Sequence, residues 1–246
     1  MRKDDDMLGW LLGSLLYQEP RMVFSPEEQD AYDRLLNRIS TASAVPTTIT
    51  YQLPYPKYRF LSYASLSDRY IYHGSNLKDI ELFEPRPQTL YSGRMVQAVF
   101  ATADPIWPVF YAILDRNKAR GSIRNACLEH QGKRYHFYSL SQSMLTGLDV
   151  WTDGMIYFLP RDRFRRVGHG AVMFDEWICE QPVVPLAKLP VTAEDFLYRH
   201  KVSTHREQES LIATYLKYKW RTRKGRLDGL TLSRPPQDRS MAAKDS

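Results

Sequence analysis

Seven residues constrain this chain more than any others. Arg69-Tyr70-Ile71-Tyr72-His73-Gly74-Ser75 passes through aromatic and β-branched residues and stops on His-Gly-Ser. Such side chains favour extended backbone, so the run reads as a buried strand that delivers three unlike residues to its end. Gly74 has no Cβ, so a flat ligand can lie there against bare peptide. Other strand-like runs follow at 99–104, 155–159 and 172–179, and runs 122–128 and 134–140 flank His130-Gln131-Gly132-Lys133 as a β-hairpin.

Helical signals lie between and outside the strands. Ser25-Pro26-Glu27-Glu28 supplies an N-cap serine, a first-turn proline and a glutamate at the capping-box position, and Tyr32, Leu35, Leu36 and Ile39 then share one face. Residues 58–66 read as a short helix after a proline turn. Ser75-Asn76 can cap a helical turn at 77–80 whose N-terminus faces phosphate. Pro85-Arg86-Pro87 opens a polar loop to Arg94, either an ordinary surface loop or a cover in which Arg86 and Arg94 neutralise a pyrophosphate. Asp104-Pro105 starts an apolar, buried helix, and residues 205–221 form a longer one with Leu211, Ile212, Tyr215 and Leu216 as its stripe. The expected organisation is a helical N-terminal extension and connector over 1–50, a catalytic domain over 51–200, a basic helix over 201–222 and a disordered tail over 223–246.

Composition excludes several classes. Six histidines and two cysteines are scattered without metal-ligand spacing, so no metal is expected. Cys127 and Cys179 sit in apolar runs as free thiols, which suits a reducing, cytoplasmic setting. The apolar run 7–17 follows Asp4, Asp5 and Asp6 where a signal peptide needs positive charge, and it is too short to span a bilayer. It reads as an amphipathic helix packed on the domain, with a partner-docking or membrane-surface segment as the alternative. The formal charge of +6 favours anionic partners, and Lys217, Lys219, Arg221, Arg223, Lys224 and Arg226 offer either a nucleic-acid contact or a solvated helix face. No nucleophile elbow, phosphate-binding glycine loop or Rossmann fingerprint is present.

Three segments together resemble the ADP-ribosyltransferase superfamily, in its diphtheria-toxin-like and poly(ADP-ribose)-polymerase-like branch with a His-Tyr-Glu signature. Tyr72-His73-Gly74-Ser75 looks like the first motif. Val99-Phe100-Ala101-Thr102-Ala103-Asp104 is similar to the second, with Tyr111 eleven positions beyond Phe100. Val172-Met173-Phe174-Asp175-Glu176-Trp177-Ile178-Cys179 resembles the strand that carries the catalytic glutamate, and the likeness covers about residues 70–185.

The resemblance implies a split, strand-rich α+β core and cleavage of the nicotinamide-ribose bond of NAD⁺, with no metal. His73 would hydrogen-bond ribose, Gly74 and Ser75 would hold the carboxamide end, Phe100 and Tyr111 would sandwich the ring, and Glu176 would stabilise the oxocarbenium-like state. Glu180, four residues on and on the same face of a continuous strand, is the competing carboxylate. Phe100 stands where the family usually has tyrosine, and the intervals between motifs are somewhat short. The acceptor stays open between protein, nucleic acid, small molecule and water. Rival readings are an NAD⁺ glycohydrolase, an RNA 2′-phosphotransferase and an inactive nucleotide- or nucleic-acid-binding module.

Overall fold

A computed structural model describes residues 2–39, 45–145 and 150–223. In chain order its elements are α1 (Arg2–Leu15), β1 (Tyr17–Gln18), α2 (Pro26–Leu36), β2 (Thr47–Thr48), α3 (Lys57–Ser65), β3 (Tyr70–Ser75), β4 (Arg86–Thr89), β5 (Met95–Ala101), α4 (Trp107–Ile113), β6 (Ile123–His130), β7 (Lys133–Ser141), β8 (Gly154–Pro160), β9 (Arg165–Arg166), β10 (Met173–Phe174), β11 (Trp177–Cys179), β12 (Ala187–Val191), β13 (Ser203–His205) and α5 (Leu211–Arg223). The protein is thus α+β and strand-rich, with five helices and three sheets among the described residues.

The sheets run β1-β7-β6-β10 with β13 also on β7, β4-β5-β11-β9, and β2-β12-β8-β3. Strand β3 lies antiparallel to β8 from Tyr70 opposite Pro160 to Ser75 opposite Met155. Successive side chains of a strand point to opposite faces. Here both faces are covered: Tyr70, Tyr72, Ile156 and Phe158 enter the main core, while Ile71, Met155, Tyr157 and Leu159 enter a second cluster. That is why these strands read as unbroken apolar runs rather than alternating ones.

Helix α2 belongs to the main core, since Tyr32, Leu35 and Leu36 pack there with Phe60 of α3 and Phe158 of β8. Its Ser25 cap accepts from the Glu28 amide, while the Glu28 carboxylate accepts from Tyr32 and twice from Arg59, at 2.6–2.7 Å. The amphipathic N-terminal helix appears as α1, with Leu12 and Leu15 packed beside the β6–β7 hairpin and Trp10 exposed. No helix among the described residues is long and apolar enough to cross a membrane.

Four expectations give way to what the neighbours supply. Residues 77–80 form no helical turn, because the Tyr157 hydroxyl donates to the Leu77 carbonyl and accepts from the Ile80 amide. The polar loop after Pro85 is instead a hairpin, with Arg86 opposite Ala98 and Thr89 opposite Met95, turning through Gly93 at φ +85°. The run 172–179 is two strands in different sheets, β10 on β6 and β11 on β5. On α5, Leu211, Ile212 and Leu216 face outward, and the packed face is Thr214, Tyr215 and Tyr218, with Tyr215 stacked on Phe137 at 4.2 Å. Arg223 ends α5, and the expected tail from Lys224 on, with Arg226, lies outside the described residues.

The Glu28–Arg59 contact yields a stability prediction. Charge-assisted bonds hold the buried Glu28 carboxyl below its ordinary range. Arg59 is a quarter exposed, so Glu28→Gln should cost only about 1–2 kcal/mol at pH 7 in urea unfolding. Because the folded value is depressed, the stabilisation is complete above the unfolded-state glutamate pKa and vanishes as pH falls through the folded one. A difference between the two proteins that persists undiminished at pH 2 would contradict this.

Candidate active site

The geometry starts where two sheets part company. Tyr72 of β3 and Thr102, just past β5, exchange backbone hydrogen bonds of 2.8 and 3.0 Å. In a regular antiparallel ladder the next such pair would be Gly74 with Phe100. No ladder pair continues there: the Phe100 carbonyl is engaged instead by Nδ1 of His73 at 2.7 Å. The imidazole therefore fills the place of a ladder bond. By strand alternation Gly74 turns its own N–H and C=O toward the same side as Tyr72 does, into the gap.

This bond also fixes the chemistry of His73. A carbonyl only accepts, so Nδ1 carries the proton and Nε2 keeps a lone pair. Burial lowers the imidazole pKa, against the Phe100 carbonyl bond, and nearby Arg116 and Arg86 lower it further. Edge contact with Phe83, at 4.8 Å between ring centroids, sets the ring plane. His73 is thus a neutral acceptor at neutral pH.

Gly74 is required for a different reason from the one its sequence context suggests. A Cβ built on it would meet the Pro108 carbonyl oxygen of α4 at 1.8 Å. The missing side chain admits helix α4, and only the backbone polar groups are left to a ligand. Asp104 starts that helix by accepting from the Ile106 and Trp107 amides at 2.8 and 2.6 Å. One turn on, Tyr111 donates to Asn125 Oδ1 at 2.7 Å, an oxygen that Trp107 Nε1 also reaches at 2.7 Å. Burial raises the Tyr111 phenol, with the Glu176 carboxylate adding to the rise.

Glu176 lies on the chain segment that changes sheets. Trp177 sits opposite Ala101, so Glu176 falls level with Thr102, itself opposite Tyr72. Two strand spacings put the Glu176 and Tyr72 backbones about 10 Å apart. The crossover is held by buried Asp175, which accepts from Thr102 Oγ1, the Asp104 amide and Trp177 Nε1 at 2.6–2.9 Å. Glu176 itself is half-buried and accepts from the Tyr91 amide at 3.2 Å, and burial raises its carboxyl pKa against that bond. Tyr91 stacks on Phe174 at 5.0 Å, which lays the tip of the β4–β5 hairpin over this edge.

The structure thus forms two neighbouring groups: His73 holds the Phe100 carbonyl with Arg86 and Arg116 close enough to act on its charge, and the Glu176 carboxylate acts on the Tyr111 phenol. Other residues singled out in the sequence have different employment. The Phe100 ring packs with Leu90, Ala98 and Ile178. Ser75 Oγ accepts from the Leu77 amide. Arg94 is exposed at the hairpin tip. Glu180, just past β11, is exposed and pairs with Arg165 at 2.6 Å. On α5, Arg221 is held by both oxygens of Glu209.

Sequence inspection missed Arg116, Asn125 and Tyr91. Arg116 places its guanidinium 5.5 Å from the Tyr111 ring centroid. Asn125 gains meaning only through the pairing of β6 with β7, and Tyr91 only through hairpin closure. Two surface clefts lie away from this site, one between α1 and the β6–β7 turn and one beside α5. Compared with family models, with curated proteins and with solved structures, the chain finds no match in any of the three.

Two substitutions check this geometry independently of any activity. Gly74→Ala should cost at least ~2 kcal/mol, because the obstacle is helix backbone and not a flexible side chain; an unchanged urea midpoint would show that α4 does not sit against Gly74. Glu176→Gln should raise the melting midpoint slightly at pH 7. Its folded pKa is raised, so the native state is disfavoured by carrying the charge above the unfolded pKa, and the difference should fade as pH falls below the ordinary glutamate range. A lowered midpoint for Glu176→Gln at pH 7 would contradict the burial of this carboxylate.

Proposed function

We propose that this protein is an NAD⁺-dependent ADP-ribosyltransferase-like enzyme that cleaves the nicotinamide-ribose bond. The observation that carries the reading is the split beside His73, where the ladder between β3 and β5 stops at Tyr72 and Thr102 and a neutral imidazole takes the Phe100 carbonyl, with Glu176 level with that same bridge. A carboxamide has one donor and one acceptor face, and the N–H and C=O of Gly74 match it in kind. Nε2 of His73 can accept from a ribose hydroxyl. The core divided between sheets is what the family resemblance leads one to expect, and the order of the three motifs along the chain agrees.

Departure of nicotinamide leaves positive charge on the ribose ring carbon and its oxygen. Glu176 would accept from the other ribose hydroxyl and set its negative charge beside that cation, in a place where burial weakens screening by water. Arg86 and Arg116, both near His73, are the cations available to a pyrophosphate. The attacking group then adds to the ring carbon. With water as that group the same residues make an NAD⁺ glycohydrolase.

The direct test is to incubate the full chain with NAD⁺ and follow released nicotinamide, with and without candidate acceptors. Glu176→Gln should lower kcat at least ~100-fold while leaving NAD⁺ affinity within a few-fold. Wild-type protein that binds NAD⁺ and releases nothing under any acceptor condition would replace this reading with a nucleotide-binding module.

A further inference from the structure

Beside the proposed site, and not part of it, three donor side chains meet in the interior. Cys127 of β6 and His136 of β7 are direct partners across the hairpin, so both project from one face. Asp104 reaches the same point from the start of α4. All three are buried, and a carboxylate oxygen of Asp104, Cys127 Sγ and a ring nitrogen of His136 lie within 4.8 Å of one another. We propose that Asp104, Cys127 and His136 bind a structural Zn²⁺ ion.

The hydrogen bonding already divides each donor into a used and an unused half. Asp104 Oδ1 caps α4, whereas Oδ2 has no hydrogen-bond partner. His136 Nδ1 is held by the Tyr138 hydroxyl at 3.1 Å, whereas Nε2 has none. The two atoms face each other in ion-pair range at 3.2 Å, without the alignment of a hydrogen bond. An unsatisfied buried polar group costs roughly 1–3 kcal/mol, so two aimed at one point call for a common partner. Ligands about 2.0 Å from a tetrahedral centre are separated by about 3.3 Å, which the spacing of Oδ2 and Nε2 matches.

Charge favours a cation as that partner. Arg134 is the guanidinium set among Asp104, Asp175 and Glu19, at 3.9, 3.9 and 3.6 Å, so one positive group faces three carboxylates. A thiolate, an imidazole and a carboxylate together are a donor set that suits Zn²⁺. Binding releases the Cys127 proton to solvent, and the fourth position is open to a water. The ion would tie the β6–β7 hairpin to the cap of α4. Through the Asp104 amide on Asp175 it would also steady the crossover that carries Glu176, so its role is to set the two walls of the site apart at a fixed distance.

The full chain, stripped with a chelator and titrated with Zn²⁺ or Co²⁺, tests this without reference to catalysis. Expected are one Zn²⁺ per chain retained through desalting, a higher melting midpoint with Zn²⁺, and a tetrahedral Co²⁺ spectrum with a thiolate-to-cobalt charge-transfer band. Cys127→Ser should abolish that band and Cys179→Ser should leave it, while His136→Gln should weaken Zn²⁺ binding at least ~10-fold. Wild-type protein that retains no Zn²⁺ and gives no charge-transfer band overturns the proposal, and so does a band that survives Cys127→Ser. Should Cys127→Ser fail to fold, the wild-type cobalt spectrum and zinc-dependent melting decide the matter alone.

Discussion

One hydrogen bond shapes this molecule's candidate site: the His73 imidazole on the Phe100 carbonyl. A carbonyl in a sheet normally belongs to the neighbouring strand. Given to a side chain, it ends the ladder between β3 and β5 after a single bridge at Tyr72 and Thr102. The break leaves Gly74 without a ladder partner on β5, and the bond fixes the proton of His73 on Nδ1. The unpaired strand edge and the acceptor nitrogen thus arise from the same event.

The opposite wall depends on buried charge. Glu176 is in place because the chain leaves β10 in one sheet and enters β11 in another, and Asp175 holds that crossing with three hydrogen bonds from different segments. Asp104 caps the helix bearing Tyr111 and donates its amide to Asp175. Tyr111 and Glu176 are therefore positioned by one interior network. Such a network is costly to bury and strongly destabilised by the loss of any member, which favours a single arrangement of the walls.

Much of this was legible along the chain and some could not be. The aromatic run ending at Ser75, the hairpin around Gly132, the Ser25 cap and the helix after Asp104 are local patterns, and the structure carries them as β3, β6–β7, α2 and α4. The break after Phe174 was invisible, because the sheet that each half of 172–179 joins is a tertiary choice. Leu211, Ile212 and Leu216 read as a core stripe, yet the aromatic faces of Tyr215 and Tyr218 against Phe137 win the packing. Gly74 was legible as a place of close approach, but the approaching group is the Pro108 carbonyl. Cys127 and His136 are distant in sequence and adjacent only through strand register.

Under the proposed function Gly74 presents strand backbone without a ladder partner to a ligand. Amide hydrogen exchange at this one position, read by NMR in the free protein and with nicotinamide added, tests it most directly. The Tyr72 amide should be protected, the Gly74 amide should exchange quickly in the free protein, and nicotinamide should slow it. A Gly74 amide as protected as that of Tyr72 before any ligand is added, and indifferent to nicotinamide, would contradict it.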